Sequence, residues 1–146
     1  MQIVSRTVRP SAGAPIYVYR EVFTLKSYGS KIAPFVREKL AEAASYRVNG
    51  ETALEFGCLE DAHVLGQEST IWHTRVHIEM MLWGARNSSL SEVSGQLLRI
   101  VGALTKTAVG FVPEGNTGGS NVSPFRPMPI RADLEQTISH VRASDY

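Results

Sequence analysis

At 146 residues the chain has the length of one domain, and 43% hydrophobic with 20% charged residues is ordinary for a globular protein. A net charge of +1 gives no global reason to expect nucleic acid or an anionic membrane as partner. A single cysteine, Cys58, excludes an intramolecular disulfide, and the chain has neither an apolar leader nor a run of about 18 apolar residues, so the expectation is a cytoplasmic domain outside membranes.

Residues 1–15, with Pro10, Gly13 and Pro15, predict an irregular arm. Ile16 to Leu25 fits either a short strand or a helical start at 18–26, and Tyr28-Gly29-Ser30 reads as a break. Residues 1–30 therefore form an expected N-terminal extension. A helical body over 31–110 follows. Its first helix, near 31–48, carries Ile32, Phe35, Val36, Leu40 and Ala43 and stops at Asn49-Gly50. A second, near 51–66, is closed by Gly66. A third, near 70–86, is capped by Ser69 or Thr70. A fourth, near 89–105, begins at Ser89, with Glu92 in place for a capping box, and bears Leu90, Val93, Leu97, Leu98, Val101 and Leu104.

The chemistry changes after Gly110. Residues 111–130 hold four prolines among their glycines and cannot form a regular helix. Phe111, Val112, Phe125, Met128 and Ile130 are too apolar for a plain linker, so the segment predicts a long loop packed on the body through its own anchors. A short helix, Arg131 to about Val141, lies in the terminal segment 131–146. The fold class read from this pattern is all-α: an antiparallel four-helix stack, a long Pro/Gly-rich loop and a short last helix, in one domain. Gly50 and Gly84 lie 34 residues apart, the period of tetratricopeptide hairpins, although any four-helix antiparallel packing gives a similar spacing.

The chemical lead is a group of histidines. His73 and His77 are one turn apart on the third helix, and Glu60 and His63 share a face of the second. With the two helices antiparallel, His63 and His73 fall at matching height on either side of the turn. His63, His73 and His77, with Glu60 as an optional fourth ligand, then fit one mononuclear site for iron, zinc or copper. Polar packing without metal and a metal-free acid/base site are the alternatives. Gln67 and Gln96 are candidates to orient the histidines. Arg99 and Arg126 can bind a substrate carboxylate, and Glu60, Arg99 and Arg126 form the catalytic set. The glycine-rich 115–120 stretch lacks the lysine of a phosphate loop and reads as an irregular turn, with an anion-binding nest of backbone amides as the alternative. His140 is expected to face solvent and Cys58 to be a small core residue.

Several segments carry a family resemblance: Leu59-Glu60-x-Ala62-His63-x-Leu65-Gly66-Gln67, His73-x-x-x-His77 with Met81-Leu82, Gly95-Gln96-Leu97-Leu98-Arg99-Ile100, and above all Gly115 to Ile130. From Tyr46 to Leu134 the chain resembles a bacterial family described only as a domain of unknown function. The resemblance implies a small all-helical domain whose histidines and proline-rich loop belong together, and it assigns no reaction. Two functions follow from the sequence. One is a metal-dependent enzyme acting on a small organic substrate, with a homodimer compatible with the chain. The other is a non-catalytic helical-repeat interaction or metal-handling module.

Overall fold

The structure is a computed structural model that describes residues 16–106 and 113–143, with side chains over 28–103 and 113–143. The arm expected for 1–15 and the anchor roles expected of Phe111 and Val112 lie outside the described residues. Five helices follow in order: α1 (Ile16–Val48), α2 (Thr52–Gly66), α3 (Thr70–Arg86), α4 (Leu90–Lys106) and α5 (Ala132–Ala143). Among the described residues every regular element is a helix, as the all-α reading requires, and no helix is long and apolar enough to cross a membrane.

Turns at 49–51, 67–69 and 87–89 reverse the chain, so α1 packs along α2, α2 against α3, and α3 along α4. Gly50 takes φ +73° in the first turn, a conformation that glycine adopts without strain. Ser69 caps α3 by accepting a hydrogen bond from the Trp72 amide (3.5 Å). Two indoles then pin α3 at both ends: Trp72 Nε1 donates to the Gly29 carbonyl (2.9 Å) and Trp83 Nε1 to the Thr52 carbonyl (3.0 Å). The core lies between α1, α2, α3 and α5, built from Ile32, Val36, Leu59, Leu65, Val76, Met80, Leu134 and Ile138. Cys58 belongs to it, and burial pushes its thiol pKa up.

Four expectations need correction. The break at Tyr28-Gly29-Ser30 does not occur, because α1 runs through it. Gly29 is instead a point of close approach, where a Cβ would lie 2.8 Å from Ser69 Oγ, and the Tyr28 hydroxyl donates to the Leu65 carbonyl (2.8 Å). The glycine echo is not a repeat of equivalent positions either. Gly84 lies inside α3, where a Cβ would meet Glu92 Cβ at 2.9 Å, whereas Gly50 sits in a turn.

The third correction concerns α4, whose apolar stripe faces outward. Leu90 and Leu98 are 82% and 76% exposed, and Leu97 and Val101 are exposed beside them. Its buried face is mostly polar, with Glu92 and Gln96 facing in, Arg99 half-buried and Ala103 the buried apolar residue. The capping box is accordingly half made. Ser89 Oγ accepts from the Glu92 amide (3.4 Å), but the Ser89 amide is already taken by the Gly84 carbonyl (2.8 Å), which leaves the Glu92 carboxylate for another role.

The fourth concerns the loop. Phe125 is 68% exposed and lies outside the core; Ile130 packs on the core and Met128 is half-buried. Hydrogen bonds do the anchoring. Asn116, buried in the loop, donates from Nδ2 to the Ser123 and Arg126 carbonyls (both 2.8 Å) and accepts from the Gly118 amide (3.0 Å). Gly115, at φ +72°, passes so close to the Met128 carbonyl that a Cβ would sit 2.0 Å from its oxygen.

Candidate metal centre

α2 brings in His63 and α3 brings in His73 and His77, all three buried. The antiparallel α2–α3 turn and the i, i+4 spacing act as expected: each imidazole offers a nitrogen, and the three nitrogens lie within 4.8 Å of one another. The ring centroids are 4.7 Å (His63–His73), 4.6 Å (His63–His77) and 4.7 Å (His73–His77) apart.

The partners of these rings decide which nitrogen carries a proton. His63 Nδ1 lies 2.8 Å from the Asn116 carbonyl, which only accepts, so Nδ1 holds the hydrogen and Nε2 the lone pair. His77 Nδ1 lies 2.6 Å from Gln96 Oε1. The Gln96 amide cannot be turned round, because its Nε2 faces the Glu92 carboxylate (2.5 Å) and the Gly118 carbonyl (2.8 Å), both of them acceptors. His77 therefore also donates from Nδ1 and keeps its lone pair on Nε2. The two Nε2 atoms are 3.2 Å apart. Two lone pairs face each other at hydrogen-bond distance with no proton assigned between them.

Burial holds all three rings neutral. It pushes His63 well below its usual range, with the neighbouring His77 and His73 adding to the effect. It lowers His73 to about 4, helped by the Arg99 charge. His77 falls to about 3 through burial and then His73, against the opposing pull of its Gln96 bond.

Further hydrogen bonds tie these rings to the loop after α4. Glu92 receives the Ser120 hydroxyl (2.6 Å) and the Ser120 amide (3.2 Å). Gly118, at φ +84°, lies on the His63 ring, where a Cβ would come within 2.7 Å of the ring carbons. Arg99 Nη2 donates to the Gly119 carbonyl (2.9 Å) and to that of Val122. Burial lowers the Arg99 pKa.

Of the residues singled out from sequence, the structure brings together His63, His73 and His77, with Gln96 and Arg99 around them. Glu60 is not in the group of mutually close ligand atoms. Its carboxylate lies beside Gly119 and Thr117, with its pKa raised by burial and drawn partly back by the Thr117 hydroxyl. Arg126 is exposed and takes part through its backbone carbonyl, which accepts from Asn116. Gln67 is buried. The 115–120 turn presents carbonyls to His63, Gln96 and Arg99 and the Ser120 amide to Glu92. Sequence reasoning missed Glu92, Asn116 and Ser120. The available signal was Glu92, Gln96 and Arg99 at i, i+4 and i+7, a polar stripe opposite the leucines of α4.

Fold and site together define an all-α helical protein with a buried three-histidine cluster sealed by a hydrogen-bonded loop. Over residues 30–138 the chain matches the family described as "Protein of unknown function (DUF3703)", and it belongs to that family. No curated protein and no solved structure matches it. The match takes in α2, α3 and α4 whole and parts of α1 and α5.

Proposed function

We propose that His63, His73 and His77 hold one divalent transition-metal ion and that the protein is a metal-dependent enzyme acting on a small molecule at the ion's open position. The observation that carries this reading is the pair of Nε2 lone pairs 3.2 Å apart, each fixed by an acceptor on the opposite side of its ring. Nitrogens bound at ~2.0–2.1 Å to a tetrahedral ion are separated by about 3.3 Å. A cation between them turns a repulsive contact into two bonds, and the Nδ1 donors are the outer-shell bonds that metal-binding imidazoles require. The lowered pKa values keep the rings in the neutral form that binds metal.

Three imidazoles and no thiolate make a catalytic type of donor set, since structural zinc sites close with four ligands, mostly thiolates. Iron, zinc and copper all suit imidazole. An ion held there would supply a Lewis acid and an activated water or oxygen. The chain's own part is to fix the rings through Gln96 and the Asn116 carbonyl, and to exclude bulk water with Gly118 over His63.

Metal analysis of protein purified without a histidine tag tests the reading. We expect about one ion per chain, lost in a His73→Ala/His77→Ala variant that remains helical. Folded wild-type protein that stays metal-free after incubation with iron, zinc and copper would overturn it. That result would favour the non-catalytic interaction module, a reading supported by the exposed leucines of α4.

A further inference from the structure

We infer that the open position takes the carboxylate group of a small organic ligand, with Arg99 as its charge partner; this rests on the metal reading above. Arg99 stands one helical turn beyond Gln96, the residue that holds His77, and it bonds Gly119, the neighbour of the glycine lying on His63. Its guanidinium is thus bonded to the same loop that closes the cluster. Both of its hydrogen bonds leave from Nη2 and end on carbonyl oxygens. Nη1 and Nε have no partner among the described residues. The paired donors of a guanidinium suit the two oxygens of a carboxylate.

Charge points the same way. The carboxylate closest along α4, Glu92, is engaged by Gln96 and Ser120; its charge favours that of Arg99, with no hydrogen bond or ion pair between the two. Glu92 and Arg99 cancel in sum, so a divalent ion on three neutral imidazoles leaves a mostly buried enclosure with two positive charges. Glu60, even when ionised, removes only one. Uncompensated charge away from water is costly, and an anionic ligand relieves it. Arg126, exposed and distant in its bonding, has no such role.

The test loads the metal-free protein with cobalt(II), measures stoichiometry, and follows the cobalt visible absorption during titration with sodium acetate and, separately, acetamide. Acetate should give a saturable change and acetamide none. Arg99→Gln should weaken acetate binding about tenfold or more with cobalt still bound, and Arg99→Lys should retain much of it. Equal responses to acetate and acetamide would overturn the inference, and so would tighter binding of inorganic phosphate than of acetate. The acetate–acetamide comparison uses the wild-type chain, so it decides the matter even if Arg99→Gln disturbs the loop. Cobalt bound without any acetate response overturns this inference alone, whereas failure to bind cobalt overturns the metal reading and this one with it.

Discussion

Each of His63, His73 and His77 binds a proton less readily in the fold than in the unfolded chain, where the reference value is 6.5. A folded-state value below the unfolded one means that the unfolded chain takes up more protons as the solution becomes acidic. The stability is therefore whole above about 6.5 and is lost as pH falls toward about 4 for His73 and about 3 for His77. Each unit below that point costs about 1.4 kcal/mol for every histidine kept neutral. Urea unfolding of metal-free protein should show several kcal/mol less stability at about pH 5 than at about pH 7.5, and a flat profile would contradict the burial of the rings. Gln96 gives a second residue-scale prediction. Gln96→Leu removes the acceptor for His77 Nδ1 and the donor for the Gly118 carbonyl and Glu92, so His77 loses the bond that sets its tautomer. Metal affinity, read by competition with a chromophoric chelator, should fall about 10–100-fold; unchanged affinity would remove Gln96 from the site.

At the scale of elements, what the sequence made legible was local. The stops and caps of α1 to α4 involve neighbours within a turn: Gly50, Ser69 and Ser89 stand next to the helix ends they were expected to set. What was not legible depends on partners far along the chain. The apolar period of α4 is real, but its face was decided by Gln96 and Glu92 bonding His77, Gly118 and Ser120. Gly29 looked like a breaker because the Ser69 side chain that needs its missing Cβ lies 40 residues away. The loop shows the same contrast, with Phe125 conspicuous and exposed and Asn116 inconspicuous and buried. A paired substitution follows. Leu98→Lys, on the outer face of α4, should change stability by less than about 0.5 kcal/mol. Asn116→Ala strips the Ser123 and Arg126 carbonyls and the Gly118 amide of their partner, each loss costing about 1–3 kcal/mol where water cannot replace it. Limited proteolysis should cut Asn116→Ala within 113–130 and spare Leu98→Lys; the reverse pattern would mean that apolar anchors hold the loop.

Over the whole molecule, the histidine cluster joins parts of the chain that would otherwise open separately. His63 comes from α2, His73 and His77 from α3, Gln96 from α4, and Asn116 and Gly118 from the loop beyond it. Arg142 on α5 extends the tie, bonding Glu68 in the α2–α3 turn (2.5 Å) and Glu114 at the start of the loop (2.9 Å). Sequence spacing placed the three histidines near one another because it involved only one short turn and one helical repeat. It could not show that the loop, some 50 residues beyond His63, supplies the carbonyl that fixes that ring. An ion bound to all three rings is linked to the folded state, since the unfolded chain does not hold these nitrogens together. Binding then stabilises the protein by about 4 kcal/mol when free metal exceeds its dissociation constant roughly a thousandfold. For a chain of this length, that corresponds to roughly 8–16 °C in melting temperature. Melting the wild-type protein with metal and after chelation should show a gap of this order, with α2, α3 and the loop losing hydrogen-exchange protection together on chelation. His77→Ala should melt at one temperature in both conditions, because it removes one of the two facing Nε2 atoms and leaves too few ligands to hold the ion tightly. An equal metal-dependent rise in the variant would place the stabilising ion elsewhere on the chain.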